Sequence, residues 1–133
     1  MRWNPAQVLV SSVLGGPLAG FMLLAMQARV APEGRCAGAS ARAHLTMGAL
    51  AQLVVLLAGV FAPDGFPRGG VAAAGVVVPW SLARQVAAPQ AGAGGTPLGW
   101  TRVIALGVAC GLTTILAGVS LSVLSAIVAH ARG

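Results

Sequence analysis

Apolar side chains run along this chain in four blocks, each bounded by arginine, glycine or proline, and the block lengths predict four helices. A helix needs about 20 mostly apolar residues to cross ~30 Å of hydrocarbon, with a tolerated range of 17–25. Gln7 to Ala28 forms one such run, free of charge between Arg2 and Arg29. His44 to Ala62 forms a second, stopped by Pro63, Asp64 and Gly65. Val103 to Ala129 is uncharged throughout, about 40 Å of helix at 1.5 Å per residue, so it must tilt or extend past the lipid. The third block, Gly69 to Val86, is the weak one because Pro79 and Arg84 fall inside it. It is read either as a full crossing, with Arg84 snorkelling to the headgroups, or as a re-entrant segment. Backbone groups in lipid must bond within their own segment, so each open-chain span is expected to be helical. The expected fold is therefore all-α, an integral membrane four-helix bundle forming one domain over residues 1–133.

Within the blocks, small and polar residues recur at helical spacing. Gly107, Gly111, Thr114, Gly118, Ser122 and Ser125 follow one another by three or four positions and predict a single stripe on the last helix. Ser12, Gly16 and Gly20 are spaced by four in the first helix, where Pro17 is expected to introduce a bend. Gly48, Gln52 and Gly59 mark a face of the second helix, with Gln52 its deepest polar group. Lipid tails are as apolar as leucine, so membrane helices associate through close backbone approach and polar contacts. These positions are accordingly read as helix-packing residues. A seam between copies of the chain, a partner's docking face and a pore lined by Ser and Thr are the other uses such stripes permit. Trp3 and Trp100 flank the first and fourth blocks and, with Arg84, are read as interfacial anchors.

Composition narrows the function classes. Hydrophobic residues make up 57% and charged residues 8% of the chain, and the mean hydropathy is +0.88. A soluble domain carries about a quarter charged residues, so a water-soluble globule is excluded, and disorder is excluded by the same hydrophobicity. The formal charge of +6 comes from scattered basic residues, without the Lys/Arg cluster that tracks nucleic-acid phosphates. The partners expected are the lipid bilayer and either another membrane protein or a second copy, with no nucleic acid. Arginines 29, 35, 42, 84 and 102 fall on one side of a four-span arrangement and arginines 2, 68 and 132 on the other. That bias places the longer connectors in the cytoplasm and both termini outside. A cleaved signal peptide is disfavoured, since Gly15, Gly16 and Pro17 interrupt the first run and no A-x-A site follows it.

Candidate chemistry is sparse. Glu33 and Asp64, the two acids, both fall in connectors, so no carboxylate is available at mid-membrane for proton exchange. His44 and His130 stand at helix ends. Cys36 and Cys110 lack metal-ligand spacing, and Cys110 reads as a small buried hydrophobe. Paired carboxylates, nucleophile elbows and phosphate loops are missing. No catalytic, cofactor or metal residue is expected, and the chain is read as a non-enzymatic accessory or partner-binding subunit. An oligomeric transporter or channel built around Gln52, Thr113, Thr114 or Ser120 is the alternative, and an immunity-type protein against a membrane-acting toxin is a further one.

Leu14-Gly15-Gly16-Pro17-Leu18-Ala19-Gly20, followed by Leu23-Leu24-Ala25, resembles the first span of a set of small bacterial four-helix membrane proteins without an established activity. The Arg-containing connector after the first span and the Gly-rich segment ending at Trp100 resemble the same set. The likeness implies the architecture and a bacterial cytoplasmic (inner) membrane, but no mechanism. Arg42-Ala43-His44 is similar to the opening of the second helix in the membrane-associated eicosanoid and glutathione metabolism family. That family continues with Asn and Glu where this chain has Thr46 and Ala49, which removes most of what would bind a charged thiol cofactor.

Overall fold

The computed structural model describes residues 4–30, 37–63, 65, 67–87 and 99–132, and four helices fill them. They are α1 (Pro5–Val30), α2 (Ala37–Phe61), α3 (Arg68–Ala87) and α4 (Trp100–Arg132). The all-α bundle expected from the apolar blocks is present, with α1, α3 and α4 extending one to three residues past their blocks at each end and α2 beginning seven residues earlier than its block. By length and composition, three of the helices (Pro5–Arg29, Ser40–Phe61 and Trp100–Arg132) could cross a membrane. The anchor expected at Trp3 lies outside the described residues, as do Glu33, Arg35, Cys36 and Asp64 of the connectors.

The main departure from expectation lies in α1. The sequence predicts a bend at Pro17, whereas the chain reverses there. Gly16 takes φ 73° and ψ −173°, a region reserved almost entirely for glycine. Pro17 follows, with no N–H to give to the preceding turn and a φ already set for the first position of a new helix. Positions 12 and 20 would be about 12 Å apart along a straight helix, yet a Cβ at Gly20 would collide with Ser12 Oγ. Val8 shares one buried cluster with Phe21, Leu23 and Leu24. These contacts require two arms, residues 5–15 (α1a) and 17–30 (α1b), folded back on each other with Gly16 at the tip.

The other three helices surround this hairpin. Gly48 and Gln52 of α2 lie beside Phe21 and Gly16 of the hairpin, so α2 runs antiparallel to α1b. Gly75 and Pro79 of α3 meet Pro17 and Gly20 in the same order, so α3 runs parallel to it. Gly107 and Gly111 of α4 meet Ser11 and Leu14, so α4 runs alongside α1a in the same direction. One end of the bundle thus gathers both ends of α1, the start of α2, the end of α3 and the start of α4. The opposite end holds the α2–α3 turn and the end of α4. The turn carries Gly65 at φ 90°, and the Arg68 guanidinium donates to the Ala62 carbonyl at 2.5 Å, capping α2.

The weak third block, read as a crossing or a re-entrant segment, is an uninterrupted helix through Pro79. The element that doubles back is α1 instead. The physical reason is the difference between one breaker and three: Pro79 has no glycine within three residues, while Gly15, Gly16 and Pro17 stand together. Gly20 should therefore be intolerant of a side chain. Gly20→Val is expected to lower the melting temperature in mild detergent, by an overpacking cost of about 1–3 kcal/mol. Gly59→Val, where a Cβ meets nothing within 4 Å, is expected to leave it nearly unchanged; equal losses would argue against the folded hairpin.

Candidate functional site

The tip of the hairpin is enclosed by the other three helices and meets the buried Gln52 amide. α3 and α4 reach it through small residues. A Cβ at Gly75 would lie 3.2 Å from Pro17 Cγ, and one at Gly107 would lie 3.0 Å from Leu14 Cβ. A Cβ at Gly111 would strike the Leu14 carbonyl oxygen, and one at Gly15 would come within 2.5 Å of the Gly107 carbonyl oxygen. These are backbone-on-backbone contacts. The Val13 carbonyl has no partner one turn on, because Pro17 carries no N–H. Glycine Cα–H groups of α4 crowd against this end of the arm and offer weak polar contacts in exchange.

The second helix contributes a side chain instead of a gap. Gln52 is 6% exposed, and its amide reaches into the break. Its Oε1 accepts a hydrogen bond from the Leu18 N–H at 3.4 Å. Leu18 is the first residue of α1b that has an N–H to give, so Gln52 caps this half-helix as an Asn or Asp would from within the chain. The same bond fixes the orientation of the amide, since a backbone N–H requires the oxygen. Gln52 Nε2, Ser11 Oγ and Ser12 Oγ are buried without a hydrogen-bond partner, with the two serines at 0% and 1% exposure. Unmet hydrogen bonds of this kind cost about 1–3 kcal/mol each.

The packing residues read from the sequence divide accordingly. Ser12, Gly16, Gly20, Gly48, Gln52, Gly107 and Gly111 all lie at contacts of the hairpin. Thr114 and Ser122 return their hydroxyls to their own helix, to the Cys110 and Gly118 carbonyls at 2.8 and 2.9 Å. Ser125 does the same with the Ser122 carbonyl at 2.8 Å. Gly118 touches only Leu56, at 3.6 Å from a built Cβ, and Gly59 faces open space. The stripe on α4 is therefore used in its first half and left free in its second. Gly15, Gly75, Pro79 and Ser11 belong to the tip as well and escaped the sequence reading. The adjacency of Gly15 and Gly16 to Pro17 was the available signal.

Away from the tip, Cys110 sets its thiol 3.8 Å from the Met22 sulfur, a contact between two soft packing groups. The Arg84 guanidinium stacks 5.2 Å from the Trp80 ring centre, one turn back on the same helix, and Trp100 is half exposed at the start of α4. His44 Nδ1 donates to the Ser40 carbonyl at 2.6 Å and the ring tilts against Phe21, 6.4 Å away. An apolar cleft of about 250 Å³ opens between α2 and α3, floored by Phe21 and lined by Met47, Val55, Val71 and Val78. Among the described residues, no three His, Cys, Asp or Glu side chains are grouped to hold a metal ion.

Comparison with family models, with curated proteins and with solved structures yields no match to this chain. The geometry of the tip thus carries the functional argument by itself. Gly16→Ala is expected to destabilise the bundle by about 1–3 kcal/mol from backbone strain, with further loss from collision with the Gln52 amide. Gly111→Leu should lower the melting temperature more than Val119→Leu, because Val119 is 57% exposed. Similar melting curves for the two would mean that α4 does not grip the hairpin.

Proposed function

We propose that this chain is a multi-pass membrane protein acting as a non-enzymatic subunit that docks a membrane partner along α4. The observation that carries the reading is the surplus length of that helix. α4 has 33 residues, about 50 Å of helix, and its contacts with the hairpin tip end near Gly111. Leu112, Ile115, Leu116, Val119, Val123 and Ile127 are all more than half exposed beyond that point. α2 ends at Phe61, only nine residues past Gln52, so α4 outruns it by several turns. A single helix that is apolar on its free faces and longer than its neighbours suits a docking rail. An immunity-type protein or an assembly factor would be one form of such a subunit.

The folded α1 supports a different topology for the proposed membrane protein. On this reading α1 enters and leaves on one side while α2, α4 and the shorter α3 cross, so the two chain ends would stand on opposite faces, where the arginine count with four spans expects both outside. Arg29, Arg42, Arg84 and Arg102 stand at the end of the bundle that holds the open ends of the hairpin, and Arg68 and Arg132 at the other. The arginine-rich end is the cytoplasmic one under the positive-inside bias. The C-terminus then lies outside, in the bacterial inner membrane that the resemblance of the first span suggests.

A second reading, small-solute transport, is favoured by the tip itself. Broken helices whose half-helix N-termini point to mid-membrane form the binding sites of many transporters, and Gln52 lies at such an N-terminus. Reconstituted vesicles should then pass a small neutral solute, with loss of flux in Gln52→Leu.

Photo-crosslinking separates the two. A crosslinker placed at Leu116 or Val119 in native membranes is expected to give discrete protein adducts, while one at Leu53 on α2 gives none. Adducts to lipid only, from both α4 positions, would overturn the docking reading. For topology, single cysteines replacing Arg42 or Arg84 in a cysteine-free background should label only from the cytoplasmic face, and one replacing His130 only from the other. Labelling of all three from the same face would reject the three-crossing arrangement.

A further inference from the structure

Sulfur is concentrated where α1b runs along α4. The Cys110 thiol of α4 belongs to a residue only 8% exposed, and it lies 3.8 Å from Met22 Sδ of α1b. Met26 follows Met22 by four residues, so the two share a face of the helix, about 5–6 Å apart at their Cβ atoms. Long side chains in a helix lean toward its N-terminus, which carries the Met26 thioether toward Met22 and Cys110. Met26 is 42% exposed, so this third sulfur connects the buried pair with the surface of the bundle. Cys110 itself is firmly held. Its carbonyl accepts hydrogen bonds from the Thr113 and Thr114 hydroxyls at 2.8 Å each, and glycine at position 15 lets the α1a backbone come against its Cβ. The thiol reaches α1b from a fixed point, while methionine, with three rotatable bonds, adapts to it.

We propose that Cys110, Met22 and Met26 bind one Cu(I) ion in a three-sulfur site. Thiolate and thioether donors are soft and select monovalent copper over the harder divalent ions. Two sulfurs of a trigonal site with metal–sulfur bonds of about 2.3 Å stand about 4 Å apart, close to the 3.8 Å between Cys110 and Met22. Charge decides the valence of the ion. One thiolate neutralises one positive charge, so a monovalent ion enters the apolar interior as a neutral unit, whereas a divalent ion keeps a buried charge. Zn(II) in structural sites also takes four ligands, one more than this sulfur set supplies. Binding breaks the Cys110 S–H bond and forms a Cu–S bond; the proton passes to water, and each thioether gives a lone pair. No atom is oxidised or reduced. The exposed Met26 is the point of entry, one turn of helix from the sulfur that touches the thiol.

The test is anaerobic titration of the full chain in mild detergent with Cu(I), in competition with a colorimetric Cu(I) chelator. Cys36 carries the other thiol of the chain and lies outside the described residues, so every variant is made in a Cys36→Ser background. One Cu(I) per chain is expected in that background, with copper X-ray absorption showing sulfur neighbours alone. Loss of an outer partner costs about 10–100-fold in metal affinity, so Cys110→Ser, Met22→Leu and Met26→Leu, which each remove a direct ligand, should weaken binding at least about tenfold. Met47→Leu, on α2 at the apolar cleft, should leave the affinity unchanged. Exchange of Met for Leu conserves volume, so the copper-free melting curves of Met22→Leu and Met26→Leu should match the parent, which separates lost ligation from lost fold. Absence of stoichiometric binding in the Cys36→Ser chain would overturn the proposal. Full affinity in Met22→Leu would overturn it too, because the thiol would then be acting without its thioether. Nitrogen or oxygen neighbours in the absorption spectrum would place the copper elsewhere and reject the site. None of these outcomes depends on whether α4 docks a partner.

Discussion

A polypeptide that turns around inside a bundle of apolar helices must find partners for the backbone groups released at the turn. That constraint governs this structure. The reversal at Gly16 strips Val13 of its partner one turn on and begins a second helix whose first N–H belongs to Leu18. Irregular backbone is tolerated at membrane depth only where protein or water covers it. Here the cover comes from three directions: the Gln52 amide on α2, Gly75 and Pro79 on α3, and the Gly107–Gly111 pair on α4. α3 and α4 have surrendered side-chain bulk at the level of the tip, and α2 brings a polar group instead.

The same arrangement explains why the small-residue stripes are uneven. Close approach in the absence of a hydrophobic driving force depends on dispersion and on short backbone contacts. Such contacts exist only where the hairpin is present. Gly107 and Gly111 touch it, whereas Gly118, Ser122 and Ser125 continue the pattern past the tip, where the hydroxyls fold onto their own helix carbonyls. Likewise Gly48 presses on Phe21 while Gly59 meets nothing. The bundle is thus dense at the end that holds the hairpin and loose at the other. The apolar exterior of α4 in that loose half is what makes a docking role the best-supported use of the protein.

Much of this was legible in the residues. Four apolar blocks, the turn at Pro63–Pro67, the packing roles of Gly107 and Gly111, and Gln52 as the polar group in need of a partner all follow from hydropathy and spacing. The hairpin was not legible, because a glycine-proline break reads equally as a kink, and α1 taken whole is long and apolar enough to cross. Periodicity also could not separate glycines that are gripped from glycines that are bare: Gly48 and Gly59 share one helix face and differ only in what stands opposite.

By itself, the sequence determined that the chain is helical and adapted to lipid, since burying backbone polar groups without charge or strand partners leaves no other form. It also placed the ends of the third and fourth helices to within three residues, because arginine, proline and glycine act locally, while α2 begins seven residues before the expected His44. Tertiary structure decided that the first helix folds back on itself at Gly16. It also decided which polar atoms meet, because Ser12 comes to lie against Gly20 and Gln52 against Leu18 only after the arms have closed. Those choices rest on the fit between surfaces distant along the chain, and no local propensity encodes them.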